Sequence, residues 1–512
     1  MPSDSTIPFG GVTASGGAAG AIKLDDTRLS PVVWIYMLCV ITPVEFFLGS
    51  IALTPLRVLL LIMVVPLATQ LFSGKFGKVM IVDIFFFIHM AWATLAVGVN
   101  NPNRVVENVG SAAVEFLGGY LIARAFIRTP AHFEALIKAL VLIIIVLLPF
   151  GIPELFSGHP LIPKFINSLP GVGSVEDIDN PKRMGLERVQ NVFAHPIHYG
   201  LYCSLAFTLL LMGMHGRMSM FKRLMGCGII FASVFISLSS GALLAVILQV
   251  GLIAWALIFA KVTRKWLLLL GLFAVAYVVV DVLSNRTPMK VLMTYATFSS
   301  QTAYYRANIN EWGWYNVRMN PVFGLGLRNW IRPAYMQKGS VDNFWLVMAM
   351  RYGIPGVTLL MIGYFAGLFK VGLRNLTFSP RVTRLRLAWM ITMCGLSFTM
   401  TTVHVWTAMY SFVFFFYGSS MWMLYYTPAD EGSDQPAASN TPVKRGLQYR
   451  RTHTSDQPLP DRPQVKFSRD AAPDQDKASE VTRPSAPRRY SRFNGGRADK
   501  AAPPIKRTRN PD

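Results

Sequence analysis

The sequence predicts an all-α polytopic membrane protein with about 12 transmembrane helices and a large loop on the outer face. Three observations carry that expectation. Of 512 residues, 52% are apolar and only 15% charged, whereas a soluble domain carries about a quarter charged residues. The apolar residues fall in long runs, most of them sufficient to cross a hydrocarbon core of roughly 30 Å at about 1.5 Å per residue. Lys and Arg outnumber Asp and Glu by 49 to 27, and they gather in alternate loops.

The runs lie near 32–49, 51–72, 79–98, 109–127, 135–156, 196–215, 222–239, 241–260, 266–284, 343–369, 386–404 and 406–427. Two breaks, Gly49-Ser50 and Ser239-Ser240-Gly241, admit a re-entrant feature as readily as a pair of clean spans. Lys75 and Lys78, Arg124 and Arg128, Lys222 and Arg223, and the clusters at 261–265 and 370–386 fall on one side. The positive-inside rule makes that side cytoplasmic and brings both termini to it. The expected organisation is a disordered cytoplasmic segment over 1–30 with no signal peptide evident, a membrane domain over 31–428, and a basic tail over 429–512. The tail is rich in Pro, Arg, Asp, Ser and Gln, and it buries too little apolar surface to offset its ordering entropy.

A net charge of +22 raises nucleic acid as a partner. The charge sits beside membrane spans, where anionic lipid headgroups attract it, so membrane lipid is the expected partner and nucleic acid is not. Cys39, Cys203, Cys227 and Cys394 all fall within spans, which excludes a disulfide framework or a zinc site.

Two long loops, about 157–195 and 285–342, lie on the outer face, expected to be the periplasm. The second holds Arg286, Lys290, Arg306, Arg318, Arg328, Arg332 and Lys338 against Glu311 and Asp342. An anionic ligand outside the cytoplasm accounts for such an excess. In the stretch 183–202, Arg188 precedes His195-Pro196, which opens a span. Proline suits the first helical turn, so a helix N-terminus, Arg188 and His195 could together hold a phosphate. His195 and Tyr199, or His198 and Tyr202, share a face at four-residue spacing. The bland alternative is that these groups anchor the span in the headgroup layer.

Residues 303–319 read as an amphipathic helix bearing Tyr304, Tyr305, Trp312 and Trp314 and ended by Asn320-Pro321. The aromatics suit an interfacial belt better than a platform for sugar rings. Gly324 and Gly326 allow a tight turn; Gly-x-Gly without a preceding strand is weak as a nucleotide signature. Asp342 precedes a span, where it could be a helix N-cap or a base. Asp177-x-Asp179 imitates a metal motif, but it lies outside, where nucleotide sugars are absent, and no metal is expected there. Within the spans, Glu45, Arg57, Asp83, His89, Glu115 and Asp281 are ionisable and carry no assigned role.

The order Arg306, Trp312/Trp314, Asn320-Pro321, Gly324-x-Gly326, Asp342-Asn343-x-x-Leu346, Tyr352-Gly353-x-Pro355-Gly356 resembles the signature region of the O-antigen ligase/polymerase superfamily. Arg188 with Phe193-x-His195-Pro196-x-x-Tyr199-Gly200 resembles its other arginine-bearing outer loop. The resemblance implies a GT-C-like membrane glycosyltransferase working on undecaprenyl-diphosphate-linked glycan at the outer face of a bacterial inner membrane. Other polysaccharide export components are admitted as partners. It implies diphosphate binding by Arg188 and Arg306, with Tyr199, Asn343 and Arg328 as further substrate-binding candidates. The acceptor base would be Asp342, His195 or His404. No cofactor is expected, because the donor is already activated and no P-loop is present. Ligases of the superfamily typically carry His where this chain has Asp342, and an Arg near the Ser239-Ser240-Gly241 turn. Both departures favour a Wzy-type polymerase over a ligase. A transporter or flippase is the rival from another class, but the two halves show no convincing repeat.

Overall fold

A computed structural model describes residues 28–48, 51–178, 180–285, 291, 300–336 and 339–433. The chain divides into Met1–Asn440 and Thr441–Asp512, and everything below concerns the first unit. The expected tail, apart from residues 429–433, and the N-terminal segment up to residue 27 lie outside the described residues.

Helices dominate. Their starts follow a repeated local rule, a hydroxyl residue followed by proline. Thr54-Pro55 opens α2 (Pro55–Phe72), Thr129-Pro130 opens α5 (Pro130–Ser157), and Ser379-Pro380 opens α13 (Pro380–Thr399). In each the hydroxyl accepts from a backbone N–H of the first turn, at 3.2, 3.1 and 3.2 Å. Proline meanwhile occupies a position whose N–H has no helical partner in any case. Between these lie α3 (Ile81–Asn100), α4 (Ser111–Phe126), α6 (Leu161–Asn167), α7 (Pro196–Ser204), α8 (Met220–Ile236), α9 (Ser240–Ile258), α10 (Lys265–Leu283), α11 (Ser300–Met319) and α12 (Phe344–Leu373), with α14 (Thr407–Gly418) last.

Eight helices among the described residues are long and apolar enough to cross a membrane, fewer than the dozen expected. The largest correction is at the start. The run 32–49 yields the helix α1 (Pro31–Ile41), only 11 residues long, which at about 1.5 Å per residue reaches half-way across a 30 Å core. Thr42 precedes Pro43 and is extended (φ −92, ψ 102), as the clash with a following proline ring demands. The chain then pairs β1 (Val44–Leu48) with β2 (Ile51–Leu53), and β1 also pairs with β3 (Gly173–Ser174), in the order β2-β1-β3. The break expected at Gly49-Ser50 lies outside the described residues; β1 and β2 on either side of it form an antiparallel pair between α1 and α2. At the other doubtful break, α8 and α9 are separate helices joined at Ser237–Ser239, with Leu238 in the left-handed region (φ 45).

The outward surface of these helices is apolar. No residue of α10 is buried, and Leu267, Leu270, Phe273, Val275 and Val282 are all strongly exposed. Contiguous apolar surface of that extent belongs in lipid. The chain is an integral membrane protein, mostly helical.

The ionisable residues of the spans are mostly paired with one another. Arg57 Nε meets Glu115 Oε1 at 2.8 Å. Asp83 accepts from the Tyr120 hydroxyl and from Met80 N and lies 3.7 Å from Arg124 Nε. His89 Nδ1 bonds the Gly356 carbonyl at 2.8 Å. Asp281 is exposed on α10, and Glu45 lies in β1.

Candidate functional site

One end of the bundle carries a cavity of about 1100 Å³. Among the described residues, five arginines, Arg183, Arg188, Arg306, Arg328 and Arg351, line it against one carboxylate, Asp342. They come from segments far apart in sequence, and each is positioned by identifiable local chemistry.

Arg183 and Arg188 lie on the segment that leads into α7. Glu154, near the end of α5, grips that segment: its carboxylate accepts from Gln190 N at 2.7 Å and Asn191 N at 3.0 Å. Asn191 adopts φ 57, a left-handed conformation that Asn tolerates better than most residues. Its side-chain amide donates to the Leu147 carbonyl at 2.8 Å. Arg183 reaches the Leu238 carbonyl at 2.6 Å, which ties the segment to the α8–α9 turn. Arg188 Nη1 contacts Asn180 Oδ1 at 3.4 Å, while its buried Nε has no hydrogen-bond partner.

Arg306 is carried on α11 and is only 6% exposed, with neither Nε nor Nη1 hydrogen-bonded. Burial pulls its guanidinium below the usual arginine range; Asp342 pushes it back up and Arg183 pulls it down. Burial also lowers Arg188, to about 10, with Arg183 and Arg306 acting in the same direction and Asp342 against them. Both therefore stay charged near neutral pH, in a place where their charge is expensive. The two arginines and Asp342 feel one another's charge across a single cavity.

Arg351 is set by a kink. Inside α12, Gly353 takes φ 72, ψ −179. Pro355 has no N–H for the Arg351 carbonyl, and Ile354 N turns to the Pro321 carbonyl at 2.8 Å instead of continuing the helix. The carbonyls so released are taken by the loop after α11: Leu325 N donates to Met350 O at 2.6 Å and Gly326 N to Arg351 O at 3.1 Å. Backbone lies against backbone, since a Cβ on Gly353 would stand 2.0 Å from Val322 O and one on Gly324 2.5 Å from Met350 O. The Gly-x-Gly pair serves this docking. The same loop is fastened to the end of α3, where Asn100 Nδ2 donates to Phe323 O at 3.1 Å and Asn101 Oδ1 accepts from Leu327 N at 2.9 Å.

The candidates read from the sequence distribute as follows. Arg188, Arg306, Arg328, Asp342, His195 and His404 line the cavity. Arg328 is exposed and held by Asn100 Oδ1 at 2.6 Å and by the Leu325 carbonyl at 3.2 Å. His195 is the N-cap of α7, its Nδ1 accepting from Ile197 N at 3.1 Å; the helix end foreseen for a phosphate is thus capped by the chain itself. His404 stacks against Phe344 and Trp406, and its buried Nδ1 has no hydrogen-bond partner. Two placements correct the sequence reading. Tyr199 is fully buried, beside Phe193 and away from the cavity wall, because the helical face that follows the His195 cap turns into the bundle. Asn343 is the residue that caps α12, accepting from Leu346 N at 3.1 Å. It is not on the cavity wall, and its capping role leaves Asp342 outside the helix and facing the arginines. The aromatics of α11 divide: Tyr304 and Trp314 are exposed, Tyr305 lines the cavity and Trp312 packs on the core. Asp177 pairs with His159 at 2.6 Å, Asp179 lies outside the described residues, and no metal-binding cluster is found among the described residues.

Arg351 and Trp406 were not singled out from the sequence. The signal for Arg351 was its place immediately before Tyr352-Gly353-x-Pro355-Gly356, where a broken helix exposes its side chain; Trp406 carries none beyond being an aromatic at a span end.

Residues 225–361 match the family described as O-antigen ligase, which supports the resemblance to the O-antigen ligase/Wzy-type superfamily. The match begins within α8 and ends within α12. It takes in Arg306, Asp342 and the Gly353 kink, and stops short of Arg188, His195 and His404. No curated protein matches the chain.

Proposed function

We propose that this protein is a membrane glycosyltransferase that polymerises undecaprenyl-diphosphate-linked oligosaccharide repeat units at the periplasmic face of the bacterial inner membrane. The observation that carries the reading is the cavity with five arginines to one carboxylate among the described residues, with Arg306 buried, Arg188 half-buried, and buried guanidinium nitrogens of both unbonded. A buried, unneutralised cation is costly, and a dianionic ligand that takes up its donors repays the cost. The orientation rests on the alternation of basic loops, whose residues meet at the opposite end of the bundle.

In this reading, Arg188 and Arg306 hold the diphosphate with charge-assisted, bidentate hydrogen bonds. An acceptor hydroxyl attacks the anomeric carbon of the donor sugar, the bond from that carbon to the diphosphate oxygen breaks, and the lipid diphosphate leaves with the bonding electrons. The arginines stabilise the charge that grows on the leaving oxygen. The hydroxyl proton passes to a base. Of the two histidines, His404 is the one placed to take it, because His195 Nδ1 is committed to its helix cap while His404 Nδ1 is unbonded, and Asp342 stands on the same wall as the other candidate base.

The second reading is a ligase that moves finished glycan to another acceptor, and the description of the matched family favours it. Asp342, where ligases of the superfamily carry His, favours polymerisation. The glycan left in a deletion strain separates the two: single repeat units on the lipid carrier are expected for a polymerase, and full-length glycan on the carrier would establish the ligase instead.

A further inference from the structure

A second, smaller cavity of about 280 Å³ adjoins the first. It lies between the start of α4, the first turns of α12 and the start of α14. Its wall includes Arg57, Glu115, Asn108, Ser111 and Tyr410, and it shares Arg351, His404 and Trp406 with the arginine-rich cavity. Those three side chains are the partition between the two spaces.

The chemistry of the two differs. In the smaller cavity the charges balance, with Arg57 and Arg351 against Glu107 and Glu115. Arg57 and Glu115 are bonded to each other at 2.8 Å, so neither calls for an ionic ligand. What the wall offers is a dense mixture of donors and acceptors from carboxylate, guanidinium, amide and hydroxyl groups, together with aromatic faces. That mixture fits a neutral polyhydroxylated molecule. The volume is near the lower end of the roughly 300–1,000 Å³ of small-molecule pockets, enough for one or two sugar residues. A buried imidazole with an unbonded Nδ1 stands in the partition.

We propose that the smaller cavity binds the terminal sugar of the acceptor glycan and presents its hydroxyl across the His404–Arg351–Trp406 partition to the donor. This rests on the glycosyltransferase reading and adds a separate acceptor site to it. The hydroxyl proton goes to His404 on the acceptor side, and Arg351, which lines both spaces, is placed to meet the departing diphosphate on the donor side.

The test measures two affinities on the purified full chain in lipid nanodiscs. The first probe is undecaprenyl diphosphate without sugar. The second is the glycan freed by mild acid from the lipid carrier of the deletion strain, whatever its length. Ala112→Phe fills the smaller cavity from α4, at a position that is not on the wall of the larger one. It should weaken the glycan at least about tenfold, which is about 1.4 kcal/mol, and leave undecaprenyl diphosphate within about twofold of the parent. Asn108→Ala removes one amide without adding bulk, and should weaken the glycan alone, by a few fold. Arg306→Lys should do the converse. Wild-type glycan affinity in Ala112→Phe, or equal losses of both probes in a variant that runs as a folded species on size exclusion, would overturn the proposal. Failure of the glycosyltransferase reading shows differently: the parent chain would transfer no sugar from lipid-linked donor, whatever the two affinities.

Discussion

The two ends of the helix bundle use arginine in opposite ways. At one end Glu134 is shared by Arg381, at 2.7 and 3.0 Å, and Arg217, at 3.4 Å. There, too, Arg124 lies 3.7 Å from Asp83 and donates to the Phe76 and Lys78 carbonyls at 3.1 and 3.3 Å. Each cation has a carboxylate at hand, and Arg124 has backbone oxygens as well, so their work is to join helices. At the other end Arg306 is buried and Arg188 half-buried, and they share one carboxylate with three more arginines and keep unbonded nitrogens. The balance of charge separates the two roles better than position or unbonded nitrogens do, since Arg124, Arg223 and Arg384 also keep a buried Nε without a hydrogen bond: an arginine with a carboxylate of its own is structural, and a cluster of five facing one carboxylate suits an anion.

The strongest way to break this contrast is to exchange the cations. Arg188→Lys and Arg306→Lys keep the charge and lose the bidentate fork, so each should slow polymer formation by roughly ten- to a hundredfold, from the loss of charge-assisted bonds worth about 1.5–3 kcal/mol each. Arg328→Lys, already tied to Asn100, should lose less. Arg332, which lies off the cavity wall and donates to the Met336 carbonyl at 3.0 Å, should tolerate Lys with near-normal polymer. Polymer length and amount at equal membrane levels provide the measurement, and equal mild losses in all four would replace the site with a diffuse basic surface.

Stability should move the other way at the two ends. Glu134→Ala leaves Arg381 without its carboxylate and should cost about 3 kcal/mol, seen as a lower melting temperature in detergent. Arg306→Met removes a buried cation whose nitrogens are unbonded, and should hold or raise the melting temperature while abolishing polymer. A destabilised Arg306→Met would show that the guanidinium is structural after all.

Gly353→Ala tests the kink on which Arg351 depends. Alanine at φ 72, ψ −179, a region open essentially to glycine alone, costs about 1–3 kcal/mol, and its Cβ would stand 2.0 Å from the Val322 carbonyl oxygen, so the docked loop must move away. A loss of about tenfold in activity with a modest drop in melting temperature is expected; unchanged activity would remove the kink from the site.

The smallest effect is on pH. Arg188 is lowered to about 10, so it is fully charged well below that value and loses charge as pH rises through it. Affinity for undecaprenyl diphosphate should be level through neutral and mildly alkaline pH and fall by a few fold above about pH 10. Arg188→Lys should alter that decline, and an identical profile would assign it elsewhere.

Most of the membrane architecture was legible in the sequence because hydropathy and length are local properties. Residues 79–98, 135–156 and 266–284 correspond closely to α3, α5 and α10. Val44–Leu48 and Ile51–Leu53 fall within the apolar runs 32–49 and 51–72, since a strand of Val, Phe, Leu and Ile is as apolar as a helix, and only their pairing with each other and with Gly173–Ser174 distinguishes them. Arg188 and Arg306 could be picked out as outer-loop cations with a matching motif order. Arg351 carried only its place before the Gly353-x-Pro355 break as a signal, and its access to the cavity depends on that broken helix meeting a loop from elsewhere in the chain.

The sequence by itself determined that the chain enters a membrane, where most helices begin, and which loops carry excess positive charge. Each follows from residue type and near-neighbour spacing. The tertiary structure alone decided which arginines are neutralised and which face a common cavity, that Tyr199 is core and Asn343 a cap, and that His404 stands between two spaces. Apart from the Asn343 cap, which bonds Leu346 three residues on, those facts depend on contacts between segments far apart in the chain. A hydrogen bond made or left unmade across such a distance leaves no trace in local composition.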